Sequence, residues 1–218
     1  MTKTTTFLVV DDHPVFRQGL VALIKSNGKY EISAQAGTTE EATEALRASV
    51  PDVALIDISL GDQNGLDLVR MIKTSYPCVT VLIISMHDEA VYAARALKAG
   101  ARGYVMKQEA ASVMVDAIRT VLSGKIFVSE AMRDRLLETL VSPEIEPEVL
   151  PTARLSDREL EVLELIGKGY GATEIGNILH LSVKTVNVYR DHLKEKLKIP
   201  NASELRRFAV KWMNGREA

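Results

Sequence analysis

The sequence predicts two domains of different class: an α/β doubly wound five-stranded parallel sheet of flavodoxin-like order, then a smaller all-α helix-turn-helix unit. Three observations carry this. Short apolar runs alternate with amphipathic ones over the first ~125 residues. A stretch with three prolines and three glutamates, "VSPEIEPEVLPTAR" (Val141–Arg154), interrupts the pattern as an extended linker. The formal charge then reverses: residues 1–149 carry 15 Lys and Arg against 20 Asp and Glu, residues 150–218 carry 12 against 9.

The strands are expected at Phe7–Val10, Glu31–Gln35, Val53–Ile56, Val79–Ile84 and Gly103–Val105, the strongest continuously apolar as in a sheet covered on both faces. Helical patterns lie between them near 14–26, 38–49, 65–75, 88–99 and 110–123, with Pro14 suited to a first turn and Gly28 and Gly100 placed as stops. Ser129–Leu140 reads as a further helix, and 156–213 as four helices without strands. The expected boundaries are 1–125, 126–152 (helix and linker) and 153–218. One cysteine, Cys78, excludes a disulfide framework. With neither a signal-peptide pattern nor a membrane-length apolar run, the expectation is a cytoplasmic protein without a membrane partner.

"FLVVDDHP" (Phe7–Pro14) ends a buried-type strand on two carboxylates, which are costly to bury unless paired or metal-bound. Asp57 closes the third strand in "VALIDIS". In strand order 2-1-3-4-5 the first and third strands are neighbours at the switch point, so Asp11, Asp12 and Asp57 meet there. Three acids call for a divalent cation, and oxygen-only ligands describe Mg²⁺. Ser85 ends the fourth strand and Lys107 follows the fifth, adding a hydroxyl and a cation. This set suits a phosphoryl group carried covalently on a carboxylate, with Asp57, alone at the centre, as acceptor.

The same motifs carry a resemblance. Residues 5–123 look like a receiver domain of two-component response regulators, with "KAGARGYVMK" (Lys98–Lys107) its most specific run. The resemblance implies that Asp57 is the phosphoacceptor, acting with Lys107 and Ser85. It further implies that Asp12, Asp57 and the Ser59 carbonyl bind Mg²⁺, Asp11 acting through water, and that Ser85 and Tyr104 switch together on phosphorylation. The loop "SLGDQNG" (Ser59–Gly65) departs from the family, placing Gly61 where relatives carry proline and implying a more flexible loop.

In the C-terminal part, Ser156 and Glu159 form a capping box and Leu160, Leu163, Leu165 and Ile166 an apolar face. Ser182 caps a longer helix, Val183–Leu197, in which Val186, Tyr189, Leu193 and Leu197 face inward while Lys184, Asn187, Val188 and Asp191 line an exposed row. That arrangement fits insertion in a DNA major groove; a helical protein-docking module is the alternative from pattern and charge alone. Residues 150–213 resemble the LuxR-type helix-turn-helix of NarL/FixJ response regulators, through "LSDRELEVLELIGKG", "EIGNILHLSVKTVNVYRDHLKEKL" and "ASELRRFAV". The resemblance puts Lys184, Thr185, Asn187, Val188 and Asp191 in DNA-facing slots. By side-chain chemistry the expectation is Lys184, Thr185 and Lys196 on phosphates, with Asn187 on adenine, Val188 on a thymine methyl and Asp191 on cytosine.

The expected function is a phosphorylation-dependent DNA-binding regulator. Its expected partners are a cognate sensor histidine kinase, double-stranded DNA and a second copy, paired through the last helix, and it is no enzyme beyond self-phosphorylation and self-dephosphorylation at Asp57. Two alternatives stand beside it: a constitutive regulator with a vestigial receiver, and a metal-dependent phosphohydrolase using Asp57 as nucleophile.

Overall fold

A computed structural model describes residues 4–61, 63–141 and 151–214. It divides into two compact units, Met1–Leu137 and Glu138–Ala218.

Five parallel strands form the first unit's sheet: β1 (Thr5–Val10), β2 (Tyr30–Ala36), β3 (Val53–Ile56), β4 (Thr80–Ser85) and β5 (Gly103–Met106), in the order β2-β1-β3-β4-β5. Five helices connect and follow them: α1 (Pro14–Lys25), α2 (Thr39–Ala48), α3 (Gly65–Ser75), α4 (Glu89–Ala99) and α5 (Ala111–Leu122). Phe7 and Val9 of β1 join Leu20 and Ile24 of α1 and Met114, Ile118 and Val121 of α5 in one core cluster. Their neighbours Leu8 and Val10, on the opposite face by strand alternation, are equally buried. Both faces of the central strands are therefore covered, which explains their unbroken apolar runs.

The helix starts follow local chemistry. Thr38, Asn64 and Asp88 cap α2, α3 and α4 with side-chain oxygens, and Pro14 opens α1. Gly100 closes α4 at φ +119°, a left-handed conformation open to glycine. Gly28 has no such role. Helix α1 stops earlier, at Lys25, with Ser26 still in right-handed helical conformation as its C-cap and the Ser26 and Asn27 amides bonded back into the last turn.

The expected boundary at 125 falls inside the first unit. Phe127 pairs in parallel with Gly103 of β5, and the Tyr104 amide donates to the Phe127 carbonyl at 2.9 Å. Helix α6 (Glu130–Val141) begins against α4: the Ser129 amide donates to Glu89 Oε1 at 2.8 Å and Met132 is buried. Edge-strand pairing and one buried methionine thus extend this unit to Leu137. Residues 142–150 of the expected linker lie outside the described residues, and Pro151–Arg154 forms a 3₁₀ turn.

The second unit contains α7 (Asp157–Gly167), α8 (Ala172–Ile178), α9 (Val183–Leu197) and α10 (Ala202–Asn214). Leu160, Leu163, Ile166, Ile175, Val186, Leu193, Leu205 and Ala209 are buried. The turn between α8 and α9 closes tightly. The Leu181 amide donates to the Gly176 carbonyl at 2.8 Å, and a Cβ on Gly176 would stand 2.7 Å from the Leu181 carbonyl oxygen.

Candidate functional site

The sheet register gathers the acids. Val10 pairs with Ala36 on one side and Ile56 on the other, so the next residues, Asp11 and Asp57, emerge side by side at the carboxyl edge. The Asp57 amide donates to the Val10 carbonyl at 2.9 Å, and the Asp11 amide to Ala36 at 3.0 Å. Ser85 ends the adjacent β4, and its carbonyl accepts from the Lys107 amide at 2.8 Å.

Asp11 and Asp57 are 1% and 3% exposed. Lys107 Nζ lies 2.7 Å from Asp11 Oδ2 and 2.7 Å from Asp57 Oδ2, and it stands over the Phe16 ring, 4.6 Å from the centroid. Burial pushes the Asp57 carboxyl above its ordinary range, against the opposing pull of Lys107. Asp57 Oδ1 is buried with no hydrogen-bond partner among the described residues. Asp12 Oδ1 makes no hydrogen bond among the described residues and lies 2.7 Å from His13 Nδ1, an ion-pair contact.

One ligand atom from each of Asp11, Asp12, His13 and Asp57 falls in a cluster no wider than 4.8 Å. The unpartnered Asp57 Oδ1, set among the Asp11 and Asp12 carboxylates, fits a hard divalent cation with oxygen ligands. His13 was not among the expected ligands; it is exposed, it is the N-cap residue of α1 without a side-chain cap bond, and its amide donates to Asp11 Oδ1 at 2.8 Å.

The loop after Asp57 is built by two glycines whose structural roles the sequence does not declare. Gly61 takes φ +63° and its amide donates to Asp12 Oδ2 at 3.0 Å, and proline could supply neither. Gly65 opens α3 directly against the acceptor: its amide donates to the Ile58 carbonyl at 2.6 Å, and a Cβ there would stand 1.9 Å from the Asp57 carbonyl oxygen. Ser59 pairs with Asn64 in a two-residue antiparallel ladder.

His87 joins several of these groups. Its Nε2 and Ser59 Oγ are 2.9 Å apart, its amide donates to Ser85 Oγ at 3.2 Å, and its carbonyl accepts from Tyr104 OH at 2.8 Å. Tyr104 is fully buried. The expected pair Ser85 and Tyr104 is therefore bridged through one backbone unit. Spacing gave no sign of His87, since it lies in a loop rather than at a strand end.

On α9, Lys184, Asn187, Val188 and Asp191 are exposed and Thr185 half-buried, while Val186 and Leu193 point inward. Ser182 Oγ accepts from the Thr185 amide at 3.0 Å and shares a hydrogen bond with its hydroxyl. Lys194 pairs with Asp191 at 2.9 Å and holds the exposed Asp191 carboxyl below its usual range. Lys196 is turned to Glu159 of α7, Nζ to Oε2 at 2.7 Å.

Comparison with known proteins supplies the family. Residues 7–119 match the model for the response regulator receiver domain, and residues 153–209 that for bacterial regulatory proteins of the luxR family. This chain is a response regulator. The oxygen regulatory protein NreC of Staphylococcus epidermidis is 34% identical over 209 residues, covering 94% of this chain and 96% of that one. The response regulator UvrY of Escherichia coli is 34% identical over 204 residues, covering 94% and 93%. Among solved structures, RcsB of Salmonella enterica serovar Typhimurium, bound to a promoter in the presence of the phosphomimetic BeF3-, is 25% identical with a TM-score of 0.58, covering 95% of this chain and 99% of that one. The chain thus couples a receiver to a LuxR-type DNA-binding domain, and its function is phosphorylation-dependent DNA binding in transcription regulation rather than catalysis of a metabolic reaction.

Proposed function

We propose that Asp57 accepts a phosphoryl group from a cognate sensor histidine kinase and that the modified receiver promotes pairing of two copies on DNA. The observation that carries this is the Asp57 carboxylate itself: buried, with Oδ2 held by Lys107 and Oδ1 without a hydrogen-bond partner among the described residues. In the transfer, an Asp57 oxygen forms the new bond to phosphorus while the bond to the donor histidine nitrogen breaks; the donor ring, protonated on its other nitrogen, keeps the bonding pair and leaves as a neutral imidazole on the kinase. Asp11, Asp12, Asp57 and the Ser59 carbonyl would hold Mg²⁺, which supplies charge neutralisation of the phosphoryl oxygens. Lys107 adds a second positive charge at a point fixed by Asp11 and Phe16.

A new anionic group on Asp57 competes for Lys107 and for the Ser85 hydroxyl. Ser85 and Tyr104 are both bonded to the His87 backbone, so a shift of Ser85 bears on the loop leading into α4. On DNA, Lys184 and Thr185 would meet phosphates at the N-terminus of α9, and Asn187, Val188 and Asp191 would face base edges. Asp191 would offer a carboxylate oxygen to a cytosine amino group beside the ion pair that Lys194 makes with Oδ1. The regulator acts in the cytoplasm, where its DNA lies; no helix of the described residues is long and apolar enough to cross a membrane.

The test is selection of genomic DNA fragments by the full chain with and without acetyl phosphate. Wild type should enrich the same fragments more strongly when phosphorylated, and Asp57→Asn should show no stimulation. Equal stimulation of both proteins would refute the reading.

A further inference from the structure

A buried carboxylate in the C-terminal unit carries an inference about how α9 is aimed. Glu159, in the first turn of α7, is 2% exposed. Its Oε2 accepts from the Ser156 amide and from Lys196 Nζ, each at 2.7 Å, and His192 Nδ1 lies 3.6 Å from Oε1. Residues 192 and 196 are one turn apart on α9, so one carboxylate of α7 faces two successive turns of that helix. Although burial works to raise the Glu159 carboxyl, its bonds to Lys196 and Ser156 hold it below the ordinary value. The group is ionised at neutral pH, and removing its cation would strand a buried charge.

Helical geometry separates Lys196 from the exposed row. At about 100° per residue, Asn187, Val188 and Asp191 all fall within about 60° of Lys184, whereas Lys196 falls about 120° away, between His192 and the inward-facing Leu193. Thr185 shares nearly that direction, at about 100°, but lies about three turns nearer the start of α9, beside Ser182. We propose that Lys196 is a positioning residue that fixes the roll of α9 against α7 through Glu159, and that it makes no contact with DNA phosphate. The loss of a phosphate contact and the loss of a strut differ in their salt dependence. A lysine on phosphate releases counterions, and its removal lowers the slope of log K against log salt by about 0.9. A strut changes affinity alone.

The inference rests on α9 being the DNA-facing helix, so Lys184→Met serves as the internal control. Full-length protein is titrated with a random-sequence duplex at several salt concentrations, below the unfolding midpoint of each variant by circular dichroism. Lys196→Met and Glu159→Gln should each bind three- to tenfold more weakly with the wild-type slope, the double variant should be no worse than either single one, and Lys196→Arg should recover most of the affinity. Lys184→Met should lower the slope; if it does not, the reading of the DNA face has failed, not the strut. The strut is overturned if Lys196→Met lowers the slope by about 0.9 while Glu159→Gln binds as wild type. It is equally overturned if neither variant changes affinity, or if both fail to fold, which would make the pair part of the fold alone.

Discussion

Gly65→Ala should disable the acceptor without touching any of its polar groups. Gly65 does not occupy the left-handed region, so alanine meets no backbone strain there; the obstacle is space. The added Cβ would lie 1.9 Å from the Asp57 carbonyl oxygen, 2.9 Å from its carbonyl carbon and 3.1 Å from Ile58 Cα, where real Cβ contacts stay beyond 3.0 Å. Either the start of α3 or the Asp57 backbone must retreat by more than about 1 Å. The first route breaks the 2.6 Å bond from the Gly65 amide to Ile58, and the second strains the 2.9 Å bond from the Asp57 amide to Val10. Overpacking of this kind costs about 1–3 kcal/mol, and a 1 Å misplacement of a reacting group costs about 10²-fold in rate. The rate of phosphorylation by acetyl phosphate, followed by intact mass, should fall about 100-fold, and the receiver's unfolding midpoint should drop by roughly 5–10 °C. A rate within twofold of wild type at an unchanged midpoint would refute the argument.

Three further outcomes follow from the site and from Glu159. Asp57→Asn should raise the receiver's unfolding midpoint in metal-free buffer. Burial places the carboxyl above its unfolded value, so the wild-type contribution is present below about pH 3.8 and lost as pH rises through the folded value; the gain should be larger at pH 7 than at pH 4, and a uniform gain or a loss would contradict the burial account. Mg²⁺ at 10 mM should raise the wild-type midpoint by mass action but leave Asp12→Ala unmoved, as followed by calorimetry with Ca²⁺-free buffer. In the C-terminal unit the lowered Glu159 carboxyl contributes stability that is present above about pH 4.5 and lost as pH falls through its folded value. Glu159→Gln should therefore flatten the acid side of that unit's stability profile, measured by denaturant titration between pH 3 and 7.

The acidic edge was legible in the sequence because each of its members ends a strand, and strand order alone brings strand ends together. Asp11, Asp57, Ser85 and Lys107 are of this kind, and the sheet order places them as expected. The features that escaped are loop features. The Gly61 amide reaches Asp12 across 49 residues, and His87 meets Ser59 across 28, pairings with no periodicity to announce them. Nothing in the sequence marks Gly65, because the atom it must avoid, the Asp57 carbonyl oxygen, belongs to a different segment. The compact unit that contains the sheet continues to Leu137 for a similar reason: Phe127 pairs with the sheet edge through its backbone, which no side-chain pattern records. On α9 the exposed row was readable from helical spacing, and the same spacing sets Lys196 apart from it.

The most direct test of the central claim is the intact mass of the protein after incubation with acetyl phosphate and Mg²⁺, wild type beside Asp57→Asn. The account predicts one added phosphoryl group, about 80 Da, on wild type alone, labile to hydroxylamine as an acyl phosphate is. Equal addition to both proteins, or none to wild type even with a histidine kinase as donor, would contradict it.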